Sequence, residues 1–293
     1  MKKYKLASLA VTSIMMIALS DKTTVQADDT NTRPNPTTEA TIQFRPPKDN
    51  EVVDGEDVPP PPIPIDTDQE DIVGGLGIAG IPTFEFGVRN ITSRNHPILA
   101  EKFKPGDGFP NHVLFPNNPD VEQPYMSFIH VVDLRDDINL GWQLKGELSN
   151  FTGKDSDQNE HILKGARLVF SKDEIRSSGT NLPTIGEYNS SSEGSSQKDQ
   201  FVLNVPDANS NAEYGDSVLF MEAEAGKGVV TNSVMTWGII EDIAENYDEH
   251  NKSYLNNGIQ LELPTVDLSG ARTGINYTAT VNWTLSSTGT GSQ

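Results

Sequence analysis

Short runs in which apolar and polar residues alternate recur along most of the chain. Alternation places successive side chains on opposite faces of a β-strand, so each run predicts a strand with one buried face. No stretch keeps helical periodicity over three or more turns. The predicted strands cover residues 84–87, 125–134, 140–148, the end of 161–170, 201–205, 217–222, 234–240, 259–263 and 277–285.

The segments between these runs are rich in glycine, proline, asparagine and serine. Residues 135–139 connect two of the predicted strands so closely that we expect a β-hairpin. The acidic connection 241–257 predicts one or two helical turns, and 189–198 is serine-rich and flexible. The pattern predicts an all-β fold, either a β-sandwich or an open barrel of many short antiparallel strands. Spacing alone leaves the order of the strands open.

The first 27 residues differ from the rest. Lys2, Lys3 and Lys5 form a basic start, an apolar run follows, and small residues occupy the positions that signal peptidase reads before Asp28. The apolar run is too short for a transmembrane span. We therefore predict a secretory signal peptide at 1–27, an exported mature chain, and no transmembrane anchor in that mature chain.

Proline and acidic residues dominate the next segment. Residues 28–73 are predicted to be a disordered, extended spacer, because successive prolines fix the backbone and remove hydrogen-bond donors. One strand is expected within it, at 40–44, where apolar and polar residues alternate. Residues 74–293 are predicted to form a single all-β domain, and no repeat of fixed period is present.

The overall charge narrows the range of partners. The net charge is −20, and removing the basic leader makes the mature chain more acidic still. Nucleic acid is excluded as an electrostatic partner, and simple charge attraction to anionic wall polymers is disfavoured. Neutral or zwitterionic surfaces, basic partners and contacts bridged by divalent cations are favoured.

Catalytic and metal-binding patterns are missing from the sequence. The chain has no cysteine, so it has no disulfide, no lipid-modified cysteine and no thiol nucleophile. Its five histidines show no metal-ligand spacing, and neither His-Glu-x-x-His nor Gly-x-Ser-x-Gly occurs. We predict that the protein is not an enzyme, with no catalytic residue, no metal and no cofactor.

One segment resembles the start of a calcium loop. Asp155, Asp157 and Asn159 alternate as oxygen ligands would. However, the sixth position is Glu160 instead of glycine, and the twelfth is Ala166 instead of glutamate. A turn between two strands is therefore the prediction for residues 155–159.

A three-residue pattern, Trp-x-Leu, occurs twice. Trp142 and Leu144 form the first copy and Trp283 and Leu285 the second, while the third tryptophan, Trp237, is predicted to be a core residue. On a strand, the tryptophan and the leucine of each copy face the same way. They can pack in the core of a sheet, or the indole rings can stack on sugar rings. The two roles also coexist if the motif packs a sheet that presents a binding surface.

The surrounding residues extend this pattern. Phe-x-Phe-Gly at 84–87 and Val-Asp-Leu-Arg at 132–135 precede the first copy, and Glu-Ala-Gly-Lys-Gly at 224–228 precedes Trp237. The run 277–285, YTATVNWTL, contains the second copy. Together with the leader and the spacer, these motifs resemble WxL-domain proteins, from about residue 40 to the C-terminus. The one departure is that 286–289 lacks the proline often found after the second copy.

The resemblance implies a secreted, extracellular protein on the cell wall surface of a Gram-positive bacterium, attached non-covalently to peptidoglycan. It implies that Trp142, Leu144, Trp283 and Leu285 form the cell-wall-binding motif. It also implies association with a membrane-anchored WxL-interacting protein and, in some members, with host matrix proteins. The alternative function is that of a surface interaction or adhesion protein whose main ligand is a partner surface protein or a host matrix component.

Non-covalent attachment also follows from the residues themselves. The segment 182–186, LPTIG, is close to a sortase signal, but its residue order is wrong and it lies in the middle of the chain. Residues 288–293 provide neither a hydrophobic tail nor a basic stop. Since a lipid-bearing cysteine is also missing, we expect the protein to be held on the cell by contacts alone.

Overall fold

Strands form nearly all of the regular structure. The computed structural model describes residues 36–45, 75–90, 95–100, 102–103, 123–124, 126–171, 173–177, 179–189, 199–228, 232–263 and 271–289. Among these residues, the strands in chain order are β1 Thr37–Arg45, β2 Leu76–Gly80, β3 Phe84–Asn90, β4 Asn95–Leu99, β5 Lys102–Phe103, β6 Gln123–Pro124, β7 Ser127–Asp133, β8 Gly141–Leu148, β9 Phe151–Lys154, β10 Glu160–Leu163, β11 Arg167–Ser171, β12 Asp173–Ser177, β13 Thr184–Ile185, β14 Gln200–Asn204, β15 Val218–Ala223, β16 Asn232–Trp237, β17 Tyr247–Asp248, β18 Ser253–Glu262 and β19 Asn276–Thr288. One short helix, α1 Ile240–Glu245, precedes β17. The predicted all-β class is confirmed.

Three sheets account for most of the described strands. The large sheet has eight strands: β10, β9, β19, β8, β15 and β13 follow one another, and β1 and then β3 extend it on the side of β19. A five-stranded sheet has the order β14-β11-β18-β17, with β4 beside β18, and a four-stranded sheet has the order β12-β16-β7-β2. Strands β5 and β6 form a separate pair.

Aromatic side chains from all three sheets meet in the core. Trp283 and Phe220 of the large sheet lie with their ring centroids 5.2 Å apart. Phe170 of the five-stranded sheet lies 5.1 Å from Phe220 and 5.2 Å from Trp237 of the four-stranded sheet. These contacts hold the sheets face to face, as expected for a sandwich in which alternate residues of each strand point inwards.

One pair of strands departs from the predicted antiparallel arrangement. Strand β1 is parallel to β3, with Ala40 beside Phe84 and Phe44 beside Arg89. On its other edge β1 is antiparallel to β19. A parallel pair requires a long crossover connection, and the chain between the end of β1 and the start of β3 supplies one.

The hairpin predicted across residues 135–139 is wrong. Strand β7 pairs with β16 and β2 in the four-stranded sheet, whereas β8 pairs with β19 and β15 in the large sheet. The connection therefore passes from one sheet to another. The physical reason lies in the side chains: β7 is buried at nearly every position and needs cover on both faces, whereas β8 alternates between buried and partly exposed residues.

The turn predicted at residues 155–159 is confirmed, and it joins β9 to β10. Asp155 Oδ1 accepts hydrogen bonds from the backbone N–H groups of Asp157 and Asn159, both at 2.9 Å. Gln158 adopts a positive φ of 66°, a conformation typical of tight turns. His161 Nε2 lies 2.9 Å from Asp155 Oδ2. The carboxylate is thus occupied in closing the turn.

The bounds of several other strands differ from those predicted from the sequence. Helix α1 lies within the acidic connection as predicted, but β18 begins at Ser253, earlier than the predicted start at residue 259. Alternation does not predict β2, β4 or β12. Each has a strand on one side only in its sheet, and β4 contains Pro97, a residue that edge strands tolerate because one side needs no ladder hydrogen bonds.

Several predictions fall outside the described residues: the signal peptide at 1–27, nearly all of the spacer 28–73, and the serine-rich segment 190–198. Within the spacer, β1 contains the predicted strand at 40–44 and extends it on both sides. Because β1 lies between β19 and β3 in the large sheet, the folded body includes chain N-terminal to residue 74.

Candidate functional site

The two Trp-x-Leu copies lie on neighbouring strands. Strands β8 and β19 are antiparallel, and Leu144 is directly opposite Leu285. In the same register Trp142 is opposite Ser287 and Trp283 is opposite Gly146. Each copy is visible in the sequence, but their pairing is created by the fold across a long separation in the chain.

Both tryptophans are in the core. Trp142, Leu144 and Trp283 have no exposed surface, and Leu285 is partly buried against the same core. A sugar ring can stack only on an indole face that is open to solvent. In this conformation the motif therefore acts by joining β8 and β19 and packing the inner face of the large sheet, which is the core role considered from the sequence.

Trp283 is fixed by contacts on several sides. Its indole lies 6.4 Å from that of Trp237, nearly parallel to it, and 5.2 Å from the Phe220 ring. Its Nε1 donates a hydrogen bond of 3.0 Å to Thr38 Oγ1 on β1. A buried tryptophan whose N–H is satisfied favours a single orientation. The second motif thus connects β19 to β1 as well as to β8.

Trp142 has a different environment. Its Nε1 is buried and has no hydrogen-bond partner among the described residues. Next to it, Gly141 packs so closely that a Cβ atom would lie 2.2 Å from the carbonyl oxygen of Ala223. No side chain fits there, so glycine is required immediately before the first tryptophan.

An ion pair connects the two sheets beside this motif. Arg135 Nε lies 2.8 Å from Asp133 Oδ1, and Arg135 Nη2 lies 2.8 Å from Asp133 Oδ2. The same guanidinium donates to Ser287 Oγ at 2.6 Å and to the Gly141 carbonyl at 3.1 Å. Asp133 ends β7 while Gly141 and Ser287 belong to the large sheet, so Arg135 anchors the crossing segment.

The loop 224–228 is a turn braced by its neighbours. Gly226 donates its backbone N–H to the carbonyl of Ile138 at 2.8 Å, and Asn181 Nδ2 donates to the carbonyl of Glu224 at 3.0 Å. Gly226 and Gly228 both have a positive φ, which favours glycine. Backbone conformation therefore explains why glycine occupies these two positions of the 224–228 motif.

The outer face of the large sheet is polar. Alternation along β19 directs five partly or fully exposed side chains away from the core: Thr278, Thr280, Asn282, Thr284 and Ser286. We call this set the β19 column. The apolar residues of the Trp-x-Leu pattern mark only the buried side of this strand. The signal for the other side was the regular spacing of hydroxyl and amide residues between the apolar ones.

Two groups of ionisable side chains with shifted pKa values lie away from β8 and β19. The hydrogen bond with His161 and that from the backbone of Asn159 hold the pKa of Asp155 at about 2. Burial raises the pKa of Asp173, whose Oδ2 accepts a 2.8 Å hydrogen bond from the hydroxyl of Tyr188, and burial also raises the pKa of that hydroxyl. The Asp155 bonds close a turn, and the Tyr188 hydroxyl links its segment to β12.

Neither a cluster of metal ligands nor a membrane-spanning helix occurs among the described residues. They contain no group of three or more His, Cys, Asp or Glu side chains arranged to hold a metal ion. Among the same residues, no helix has the length and apolar character needed to cross a bilayer.

A family model described as WxL domain surface cell wall-binding matches residues 31–289, nearly the whole chain. No curated protein and no solved structure matches the chain. The matched region includes both Trp-x-Leu strands, the crossing segment that carries Arg135, and the complete large sheet.

Proposed function

Because the chain belongs to the WxL domain family of surface cell wall-binding proteins, we propose that it is exported and attaches non-covalently to peptidoglycan of a Gram-positive wall. The observation that carries this proposal is the joining of the two motif copies. The family's characteristic residues are distant in sequence, yet they form one paired unit, β8 with β19, at the centre of the large sheet. The motif joins the central strands of the large sheet, and the outer face of that sheet is the surface available to the wall polymer.

The charge of the protein supports peptidoglycan over other wall polymers. With a net charge of −20, the chain is repelled by phosphate-bearing polymers unless cations bridge the two. The glycan strands of peptidoglycan carry neutral hydroxyl and acetamido groups along most of their length. Such a polymer can approach an acidic protein without this electrostatic cost.

Co-sedimentation with purified wall tests the proposal. A chain that starts at residue 28 keeps all of the compact unit Pro34–Gln293 and can be mixed with peptidoglycan stripped of teichoic acid, over a range of salt concentrations and with a chelator. We expect saturable binding that persists in chelator and changes little with salt. Binding that disappears in chelator would instead indicate cation bridging to anionic groups, and no binding at all would contradict the proposal.

A second function, binding of a partner surface protein or a host matrix protein, is favoured by one observation. Leu134, Ile138 and Leu182 are 51%, 52% and 66% exposed. The Ile138 carbonyl accepts a hydrogen bond from Gly226, and Asn181, next to Leu182, donates one to the Glu224 carbonyl, so Ile138 and Leu182 belong to segments that contact the same loop. Exposed aliphatic residues grouped in this way are typical of protein contacts.

The two functions are separable by mutation. Replacing Ile138 and Leu182 with serine should leave sedimentation with stripped peptidoglycan unchanged, because neither side chain belongs to the large sheet's outer face. It should weaken capture of a partner on intact cells. If the double variant loses binding to purified peptidoglycan while remaining folded, the apolar residues belong to the wall contact and the second function loses its support.

A further inference from the structure

The outward side of β19 differs in charge from the protein as a whole. Charged residues make up 22% of the chain, yet the strand Asn276–Thr288 contains none. Its outward positions are the hydroxyl and amide side chains of the β19 column, and its inward positions include the buried Tyr277 and Trp283. A strand of this length extends about 40 Å at about 3.3 Å per residue.

Strand pairing widens the column into a surface. On one side, Thr41 of β1 is opposite Thr278, and on the other side Thr152 of β9 is opposite the same residue, so three threonines form a row across three strands. Neighbouring strands lie about 4.8 Å apart. In another row Asn282 lies between Thr37 of β1 and Glu147 of β8, and its Nδ2 donates to Glu147 Oε2 at 3.4 Å.

The surface is held rigidly before any ligand binds. Strand β19 has a paired strand on each side over its central part. Its inner face is anchored by Trp283, which packs on Phe220 and donates a hydrogen bond to Thr38. Threonine side chains are β-branched and have few rotamers on a strand, so little conformational entropy is lost when their hydroxyls are engaged.

From this geometry we propose that the β19 column, with the rows that cross it, is the surface that contacts the wall polymer, and that its ligand is a neutral, N-acetylated glycan strand. The inference rests on the proposed function and assigns it a site. Hydroxyl and amide groups donate and accept hydrogen bonds, as do sugar hydroxyl and acetamido groups. Beside the column lie two carboxylates, Glu39 and Glu147, and one cation, Lys145, so the charges that border it disfavour an anionic polymer.

The composition of the β19 column favours a glycan ligand over a protein ligand. The column contains no aromatic and no large aliphatic side chain, whereas the cores of protein interfaces are enriched in both. The exposed leucine and isoleucine residues lie elsewhere, on loops except for Ile185, which is on β13 at the end of the large sheet beyond β8 and β15. A long row of uncharged hydroxyl and amide groups is suited to an extended polymer that makes many weak, similar contacts.

The decisive variant removes hydroxyls without changing shape. T278V/T280V keeps two β-branched residues of nearly the same volume on β19. The control, S171A/S253A, removes two hydroxyls without adding volume, from partly exposed positions on strands of the five-stranded sheet. Affinity of the full mature chain for teichoic-acid-stripped peptidoglycan is measured by sedimentation, with soluble oligomers of N-acetylglucosamine as competitors.

We expect the β19 variant to bind about tenfold more weakly, as the loss of two hydrogen bonds of ordinary net strength predicts, and the control to bind as the parent does. Equal binding by T278V/T280V and the parent overturns the inference while leaving the proposed function intact. Equal weakening by both variants also overturns it. Absence of binding by the parent itself contradicts the proposed function instead.

Folding is checked by circular dichroism and thermal unfolding of each variant. If T278V/T280V does not fold, Asn282→Leu is used in its place, since it removes the carboxamide, with its hydrogen-bond donor and acceptor, from the centre of the column at similar volume. The same result is expected, weaker binding with an unchanged melting temperature. Unchanged binding by a folded Asn282→Leu variant overturns the inference.

Discussion

Trp283 lies directly opposite Gly146 in the β8–β19 pair, and its indole occupies the space that a side chain at residue 146 would fill. A Cβ atom at Gly146 would lie 3.0 Å from Trp283 Cζ3 and 3.0 Å from Phe220 Cε2. The strand that carries the first Trp-x-Leu copy thus contains the glycine that accommodates the tryptophan of the second. The two copies are complementary parts of one packing unit.

Gly146→Ala should lower the free energy of unfolding by about 1–3 kcal/mol, because an added methyl group must displace two fully buried rings. Urea unfolding measures the change. Lys145→Ala, on the adjacent and partly exposed position of the same strand, is the control and should change stability by about 0.5 kcal/mol or less. A Gly146→Ala variant as stable as the parent would show that the rings shift freely.

The two motif tryptophans should respond differently to replacement by phenylalanine. Trp283→Phe removes a buried hydrogen bond and leaves Thr38 Oγ1 without its donor, whereas the Trp142 N–H has no partner among the described residues to lose. We expect Trp283→Phe to be the more destabilising by about 1–3 kcal/mol. Chemical denaturation of both variants measures the difference, and equal losses would contradict the assignment.

Thr38→Val provides a second test of the same bond, since it keeps the side-chain volume and removes the acceptor. Alone, Thr38→Val should lower the free energy of unfolding by about 1–3 kcal/mol, because the buried indole N–H of Trp283 is left without an acceptor. In the Trp283→Phe background it should cost clearly less, and this non-additivity is the coupling energy. Thr37→Val, at the exposed neighbouring position, is the control.

Removing the charge of Asp133 should weaken the connection between the two sheets. Asp133→Asn leaves the Arg135 guanidinium, whose side chain is only 11% exposed, without its ionic partner. Loss of one member of a fully buried ion pair lowers the free energy of unfolding by about 3 kcal/mol. Because this pair is slightly exposed, that value is the upper limit expected for Asp133→Asn. Thermal unfolding is the measurement. The exposed Asp136→Asn is the control, and equal effects of the two would contradict a specific role for the pair.

The Asp155 turn should contribute to acid sensitivity. Hydrogen bonds, with that of His161 the strongest, lower the pKa of Asp155 from 3.8 to about 2. A carboxyl group with a lowered pKa in the folded state stabilises the fold above its unfolded pKa and loses this contribution as the pH falls through the folded value. Stability should therefore decline between about pH 4 and pH 2 through this group.

Asp155→Asn should remove that part of the decline. The comparison is urea unfolding of the parent and the variant at several pH values, with Asp157→Asn as a control that removes a neighbouring exposed charge. The difference between parent and Asp155→Asn should shrink as the pH falls. A difference that stays constant with pH would show that the turn does not depend on the ionised carboxylate.

Local alternation was enough to predict much of this fold. The strand class, the core position of Trp237 and the longest strand, β19, follow from the sequence because side-chain direction on a strand repeats every two residues. The 155–159 turn follows from its aspartate and asparagine residues. The family resemblance came from short motifs in the same strands. These features depend on neighbours in the chain, and the sequence by itself determined them.

The tertiary structure decided which strands became neighbours. Residues 142 and 283 share a sheet, β7 and β8 do not, and β1 inserts in parallel beside β3, because each strand pairs where its apolar face finds cover in the common core. The same packing covered both indoles and left the hydroxyls of β19 facing outwards. Burial depends on contacts between distant segments, so only the assembled sheets decide which face of the motif strand is available to a ligand.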